Sequence, residues 1–367
     1  MKRLYHILLL CAFVLVQFAC VQPETDVDVR HSAPPKVRVR RARVVAAGDL
    51  MQHKPQLDAA RQADSVTYDF SPSFRYIAPY FRRADLAIVN LETTLSYRGP
   101  YTGYPAFCSP ASLADAMYDM GVDVAALANN HCCDRSLRGI RSTTAILDSM
   151  KISRVGVYPD SLDYQSRNIL YLKRCDIRFA IVNYTYGTNG IPVPRSTVVN
   201  LLDTVAIARD LKQIDRSEVD CVIAVVHWGN EYELKSNSIQ RRQADFLRRN
   251  GVDVIFGSHP HVVQPAEIYP DGVVVYSLGN FVSNQRTVPR DGGLVATLDI
   301  EITDSLDSSG RTTRRTFDYD LTLTPVWVHL PDYAILPPEV GDTLTMSADS
   351  RMRYRRFMAD TRRRLNL

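Results

Sequence analysis

The 367-residue sequence lacks most features that would mark a specialised class of chain. Beyond its first twenty residues it carries five cysteines: Cys108, Cys132, Cys133, Cys175 and Cys221. An odd number without zinc-ribbon spacing excludes a fully paired disulfide framework and a thiolate metal site. Cys132 and Cys133 are neighbours, and adjacent cysteines bridge only with strained geometry; Cys221 opens an apolar run and reads as a small core residue. There is no internal repeat and no low-complexity tract, and no later segment has the length and apolarity of a membrane span. The formal charge of +4 is small, and nothing resembles a nucleic-acid-binding module. Much of the basic excess lies in KVRVRRAR (36–43) and in RMRYRR and TRRRLNL within 351–367. Attraction to an anionic surface or polymer is one reading of these runs; solvated flanks of the fold is the simpler one.

What is present begins at the N-terminus. MKR precedes a short apolar run, Ile7 to Val16, which ends in QFAC. A basic start, an apolar stretch too short to span a bilayer and a small residue before a cysteine predict an export signal over residues 1–20. Ala19-Cys20 resembles a bacterial lipoprotein box, with Cys20 as the lipidated residue and Gln17 where an aliphatic is usual. Lipidation there would hold the chain on a membrane surface without a spanning helix and place it in the cell envelope. Residues 21–42, polar and Pro-bearing at first and basic at the end, are expected to be a tether.

From Arg43 onward, apolar strand-like runs alternate with helical patterns. The expected strands are 43–48, 86–92, 122–128, 177–184, 219–229, 252–258 and 272–279, and helices are expected in SPASLADAMYDMG, DRSLRGIRSTTAILDSM, TVAIARDLKQI and SIQRRQADFLRRNG. Gly121 and Gly251 close two of these patterns as C-terminal caps would. Such alternation predicts a layered α/β core with buried sheets over 43–290. A β-rich part of the same domain follows over 291–335, with an antiparallel pair joined around DSSG. Residues 336–367 are expected to be a basic tail.

The chain has eight histidines, and five of them fall within a few residues of an expected strand end. AAGDLMQH brings Asp49 and His53; IVNLE brings Asn90 and Glu92; LANNHCCD brings Asn129, Asn130, His131 and Asp134; AVVHWGNEYE brings His227 and Glu231; FGSHPH brings His259 and His261. Ligand sites in open α/β sheets form at the carboxyl ends of strands. Taken singly, each of these residues is more simply structural: a hydrogen-bonded histidine, a turn at Asn129-Asn130, a helix cap at Glu92. Together, carboxylates, amides and imidazoles suit a divalent ion such as Mn, Fe or Zn. Pro260, with its fixed φ, stiffens the turn between the last two histidines.

The order GDLMQH, NLETTLS, ALANNHCCD, HWGNEYE, SHPHVVQ, YSLGNFV resembles the bacterial capsule-synthesis family called CapA, the poly-γ-glutamate synthesis (PGA_cap) family. That family is itself similar to the calcineurin-like metallophosphoesterases, whose β-sandwich core is flanked by helices. The resemblance implies Asp49 as a metal-binding aspartate, Glu92 at the metal-bridging position and Asn130 as a second-metal ligand. It implies His227, His259 and His261 as the remaining metal ligands, with His131 as the acid that protonates a leaving group. Three positions depart from the phosphoesterase pattern. Met51 stands where a histidine is usual and His53 comes later, Glu92 replaces an aspartate, and Cys132 follows NNH where an acidic residue is usual. His53, Lys54, Asn90, Glu231 and Asn280 are further candidates for ligand or substrate contact, although Lys54 and Glu231 would serve equally as exposed residues and Asn280 as a turn.

The resemblance implies an exported protein of capsule or surface-polymer synthesis with a site for one or two divalent ions. Two roles are open at this stage. One is a metal-dependent hydrolase of a phosphoester or a γ-glutamyl-type amide; the other is an accessory protein that binds an anionic polymer without turnover. A scaffold on a degenerate enzyme fold is a third, weaker alternative.

Overall fold

A computed structural model describes residues 36–367; the expected export signal, Cys20 and the segment up to residue 35 lie outside the described residues. Within them two sheets stack face to face, with helices on their outer faces. The first sheet contains β1 (Lys36–Leu50), β2 (Leu86–Leu91), β3 (Val124–Ala126) and β4 (Ser153–Val155). The second contains β5 (Leu170–Arg174), β6 (Ile177–Thr185), β7 (Cys221–His227), β8 (Val254–Ser258), β9 (Ala266–Tyr269) and β10 (Gly272–Val275). The chain then returns to the first sheet with β11 (Asn280–Val282), β12 (Gly292–Leu306), β13 (Thr312–His329) and β14 (Ala334–Leu336). The strand orders are β14-β13-β12-β1-β2-β3-β4, with β11 beside β1, and β9-β10-β8-β7-β6-β5.

Period-two alternation explains why the central strands are apolar without a break. In β1, Val44 and Ala46 face the second sheet, where they join Ile88, Phe179, Ile181, Ile223 and Phe256. Their neighbours Val45 and Ala47 face the helical layer. A strand covered on both sides has no solvent face on which to place polar residues. Each such side chain, fully buried, contributes roughly 1.5–3 kcal/mol, so the three-layer contact dominates the stability of this region.

The outer helices include α1 (Lys54–Ala60), α2 (Ser112–Met120) and α3 (Ser136–Ser149) on the first sheet. On the second sheet lie α4 (Thr204–Leu211) and α5 (Ser238–Arg249). Gly121 and Gly251 adopt φ of 103° and 91°, the left-handed conformation that ends helices cheaply only at glycine. Asp203 caps α4 through the amides of Val205 and Ala206, and Asn237 caps α5 through those of Ile239 and Gln240.

Two expectations are corrected. Residues 36–42 are not tether: β1 begins at Lys36 and pairs antiparallel with β12 from Lys36↔Leu306 to Ala47↔Val295. Its arginines find carboxylates across the sheet, with Arg38 on Asp304, Arg41 on Glu301 and Arg43 on Asp299. Nor are residues 336–367 a tail. Helix α6 (Ala348–Leu365) buries Tyr354, Phe357 and Met358 against Trp327 and Leu336. Those residues recur at helical spacing and form an apolar stripe among arginines. The antiparallel pair around DSSG is present as β12 and β13, in register from Gly292↔Trp327. All five cysteines among the described residues are free.

Candidate metal centre

The parallel strands of both sheets run in the same sense, so their carboxyl ends meet along one edge of the sandwich. On the first sheet, Asp49 stands in register with Asn90 on β2 and Asn280 on β11. On the second, His227 is in register with Thr185 and Ser258. Close backbone packing makes the preceding glycines necessary. A Cβ on Gly48 would stand 2.1 Å from the Gly279 carbonyl oxygen, and one on Gly257 2.1 Å from that of Tyr276.

The edge gathers Asp49, Glu92, Asn130, His227, His259 and His261, all buried. Donor atoms of Asp49, Glu92 and His227 lie within 4.8 Å of one another, and so do those of Glu231, His259 and His261. Glu92 Oε1 lies 3.7 Å from His227 Nε2 and 4.0 Å from His261 Nε2. These separations are too long for hydrogen bonds, yet ligands about 2.0–2.2 Å from one ion can be this far apart. Asn130 Oδ1 approaches His227 Nε2 at 2.9 Å, so an amide oxygen and an imidazole nitrogen converge on the same point.

Whether a metal fits is answered by the unpartnered atoms. Both oxygens of Glu92 and Nδ1 of His259 are buried without a hydrogen-bond partner. A buried carboxylate left this way costs several kcal/mol, and buried polar groups in folded proteins are overwhelmingly paired. A divalent cation would satisfy these atoms, and the oxygen and nitrogen donor set is the one such ions take. The residues fit a divalent metal, with a donor set that Mn, Fe and Zn share.

The electrostatics follow from burial. Desolvation, reinforced by the charge of Asp49, raises the Glu92 carboxyl well above its ordinary range. Burial also acts to raise Asp49, but the bond from His261 and the surrounding imidazoles outweigh it and hold Asp49 low. Desolvation and then the neighbouring His259 push His227 well down; desolvation and His261 bring His259 to about 4. Neutral imidazoles are the form in which histidine binds a metal.

Around the cluster, hydrogen bonds orient the ligands. Asp49 Oδ2 accepts from His261 Nδ1 at 2.9 Å, leaving Nε2 of that ring turned toward Glu92. Asn90 Nδ2 donates to Asp49 Oδ1 at 2.8 Å, and Asn129 Nδ2 donates to the Leu91 carbonyl at 2.8 Å behind it. Both oxygens of Asp49 are thus engaged, so Asp49 positions His261 as well as facing the site. His259 and His261 sit at φ of 97° and 57°. Left-handed backbone at two non-glycine residues is strain of the kind that collects at functional sites. Pro260 joins them, and its carbonyl accepts from the Tyr232 amide at 2.8 Å, tying this loop to the one after β7.

His131 stands beside the cluster. Its Nδ1 meets Asp134 Oδ2 at 2.7 Å, and the same oxygen accepts from the Phe107 amide. With the proton on Nδ1 directed at a carboxylate, Nε2 is the nitrogen that can give or take a proton; it lies 3.5 Å from Asn189 Nδ2. Asp134 belongs to the strand-end group read from LANNHCCD, whereas Phe107, Asn189 and Tyr186 are site residues that strand-end histidines did not indicate. Asn189 Oδ1 also accepts from Asn130 Nδ2 at 3.2 Å and from the Tyr186 hydroxyl at 3.3 Å. The Tyr186 ring lies 4.4 Å from that of His259 and stacks over His227. The signal in the sequence is YTYGTNG at the end of β6, which carries no histidine and so reads as an ordinary turn.

The remaining candidates divide. Asn90 is inside the cluster, and Asn280 is buried beside Asp49, where its Nδ2 donates to the Arg290 carbonyl at 2.7 Å. Glu231 is exposed at the rim with an oxygen toward His259 and His261. His53 is packed edge-on against Phe107, and its Nδ1 accepts from the Asn284 amide at 3.3 Å, so it belongs to the wall and not to the ligand group. Lys54 is a correction: exposed and paired with Asp58, it does not reach the site. Met51, at the position where the phosphoesterase pattern has histidine, is buried.

Fold and site together define the class: a helix-flanked double sheet carrying a carboxylate, amide and imidazole centre along the edge where its strands end. Residues 43–285 match the family described as bacterial capsule synthesis protein PGA_cap. The chain is 30% identical over 271 residues to the PGA biosynthesis protein CapA of Bacillus subtilis (strain 168), covering 71% of this chain and 69% of that one. It is 28% identical over 304 residues to the capsule biosynthesis protein CapA of Bacillus anthracis, covering 79% and 70%. The chain belongs to the PGA_cap family. Among solved structures, a 5'-nucleotidase from Candida albicans SC5314 aligns with a TM-score of 0.45 at 13% identity, over 91% of this chain and 59% of that one. The sulfate thiohydrolase SoxB of Thermus thermophilus aligns with a TM-score of 0.39 at 11% identity, over 80% and 46%.

Proposed function

We propose that the protein acts in capsule or surface-polymer synthesis, of the poly-γ-glutamate type, as a divalent-metal hydrolase exported to the cell envelope and lipid-anchored through Cys20. The polymer assignment is supported by the PGA and capsule biosynthesis roles for which the Bacillus relatives are named, and the anchor by the N-terminal sequence. The hydrolase reading is carried by one observation: Glu92, its two oxygens buried and unpartnered, faces His227 and His261, and the same His227 nitrogen meets Asn130.

Glu92, Asn130, His227, His259 and His261 would hold the metal, with Asp49 at its edge. A divalent ion there supplies Lewis-acid chemistry, neutralising charge on the reacting group and activating water. The chain supplies the rest. Asp134 fixes the His131 ring so that Nε2 can pass a proton to a departing oxygen or nitrogen. Asn189 links that ring to Asn130, keeping the proton donor in register with the ligand group. The substrate on this reading is an anionic phosphoester or the γ-glutamyl amide of a polymer.

A second reading, polymer binding without turnover, is favoured by the Met51 position. With Met51 buried and His53 engaged by Asn284, the first metal shell lacks the imidazole that a phosphoesterase places there. Purified protein should be analysed for bound Mn, Fe and Zn and assayed on generic phosphoesters and on poly-γ-glutamate. The expected result is metal in the wild type, with turnover abolished in Asp49→Ala and His261→Ala. A metal-free protein whose polymer binding survives both substitutions would overturn the enzymatic reading.

A further inference from the structure

The geometry points to Arg290 as an anion-recognising residue at the rim of the metal centre, holding a carboxylate or phosphate of the substrate away from the reacting bond. This rests on the reading of the centre as a substrate site. The guanidinium carbon lies 4.4 Å from the centroid of the Tyr232 ring, and that ring lies 6.2 Å from His261. Among the described residues no carboxylate comes within the 4.0 Å of an ion pair with Arg290.

Its position is set by the centre itself. Asn280, in register with Asp49, donates from Nδ2 to the Arg290 carbonyl, and the Arg290 amide donates to the Thr287 carbonyl at 2.7 Å. Tyr232 is fixed from the other side. It sits at φ 68°, with its amide bonded to Pro260 between the two histidines. Strained backbone is thus used to bring an exposed aromatic face beside a buried ligand group, and a cation rests on that face. Stacking of this kind contributes only about 0.5–1 kcal/mol at an exposed site, too little to account for a strained tyrosine. What it does is hold a planar fork of donors in one orientation, and that fork matches carboxylate and phosphate oxygens. Tyr186, over His227 and His259, is also exposed. Two exposed tyrosines thus stand against the imidazoles, Tyr186 on His227 and His259 and Tyr232 on His261, and among the described residues only Tyr232 of the two carries a cation. This asymmetry predicts a substrate that is anionic on one side of the reacting group.

The test is calorimetric titration of the full metal-loaded protein with a short γ-linked glutamate oligomer and, separately, with inorganic phosphate. In Arg290→Ala, binding of the preferred probe is expected to weaken about tenfold or more, the loss typical of one charge-assisted contact. Arg290→Lys should weaken it less, because the charge stays and the planar fork goes, and metal content should match wild type in both. If Arg290→Ala does not fold, Arg290→Lys alone decides, with an expected loss of a few-fold. Wild-type affinity for both probes in the folded variants, or no binding of either probe to wild type, overturns the proposal. Failure here is separable from failure of the hydrolase reading. Arg290-dependent binding without turnover removes the hydrolase and keeps the clamp; turnover with an unchanged KM in Arg290→Ala does the reverse.

Discussion

The two ends of the sandwich bury charge in opposite ways. Where the parallel strands begin, Asp220 and Asp304 are fully enclosed, and both are answered. Arg40 reaches Asp220 at 2.8 Å and Asp304 at 3.0 Å, and Arg315 reaches the same two at 2.9 and 2.6 Å. Burial acts to raise these carboxyls, but the guanidiniums outweigh it and hold both low. Where the strands end, Glu92 is as deeply enclosed and its carboxyl is driven up. One end is a clasp between the sheets in which all four carboxylate oxygens meet guanidiniums of the chain; at the other, both carboxyl oxygens of Glu92 are left without a partner. A buried charge by itself is therefore no sign of function; Glu92 stands out because both of its oxygens are unanswered and imidazole nitrogens surround them.

The contrast can be broken most forcefully at the clasp. Arg40→Ala removes the most deeply buried of the cations around these aspartates, leaving Arg315 between them, Arg38 on Asp304 and Arg178 on Asp220, and denaturant unfolding should show a loss of about 3 kcal/mol, with metal content per folded molecule unchanged. At the other end, Glu92→Gln should act in the opposite direction. Chelator-treated protein at pH 8 is expected to gain about 1–2 kcal/mol once the unpaired carboxylate is gone, while metal binding is lost. Lower stability of Glu92→Gln than of wild type under those conditions would mean that Glu92 has a partner in the chain.

Smaller effects sharpen the boundary of the site. Burial lowers His53 from 6.5 to about 4. Its neutral ring therefore adds stability that is fully present above pH 6.5 and lost as pH falls from about 6.5 to 4, where the unfolded chain takes the proton first. His259 acts in the same sense, so the measurement is the difference between wild type and His53→Gln: the variant should have a shallower acid slope over that interval. Least of all, Lys54→Ala should cost no more than about 0.5 kcal/mol and leave metal content and turnover as they were. A marked loss of turnover would return Lys54 to the site.

The layered fold was legible because apolar runs and capping glycines are local signals, and the centre because histidines collected at strand ends. What stayed hidden depended on partners distant in sequence. Arg40 looks like part of a solvated basic run until Asp220 and Asp304, from another sheet and another hairpin, are seen around it. The apolar stripe Tyr354, Phe357, Met358 is diluted by arginines, so its helix passed for a tail. Tyr186, Asn189 and Arg290 are residue types that usually lie on surfaces, and only their placement distinguishes them.

The ladder between β1 and β12 also dictates when the centre can exist. Asp49 lies on a strand whose neighbours come from residues 86–91, 280–282 and 292–306. Nearly the whole chain must therefore be available before that strand is closed on both sides. Such long-range pairing makes folding slow, and a nascent chain, in which β1 can pair with β2 early, must keep the other side of that strand open until residues 280–306 arrive. Chains terminated before residue 292 are expected to leave β1 with an open edge, prone to pair with other chains.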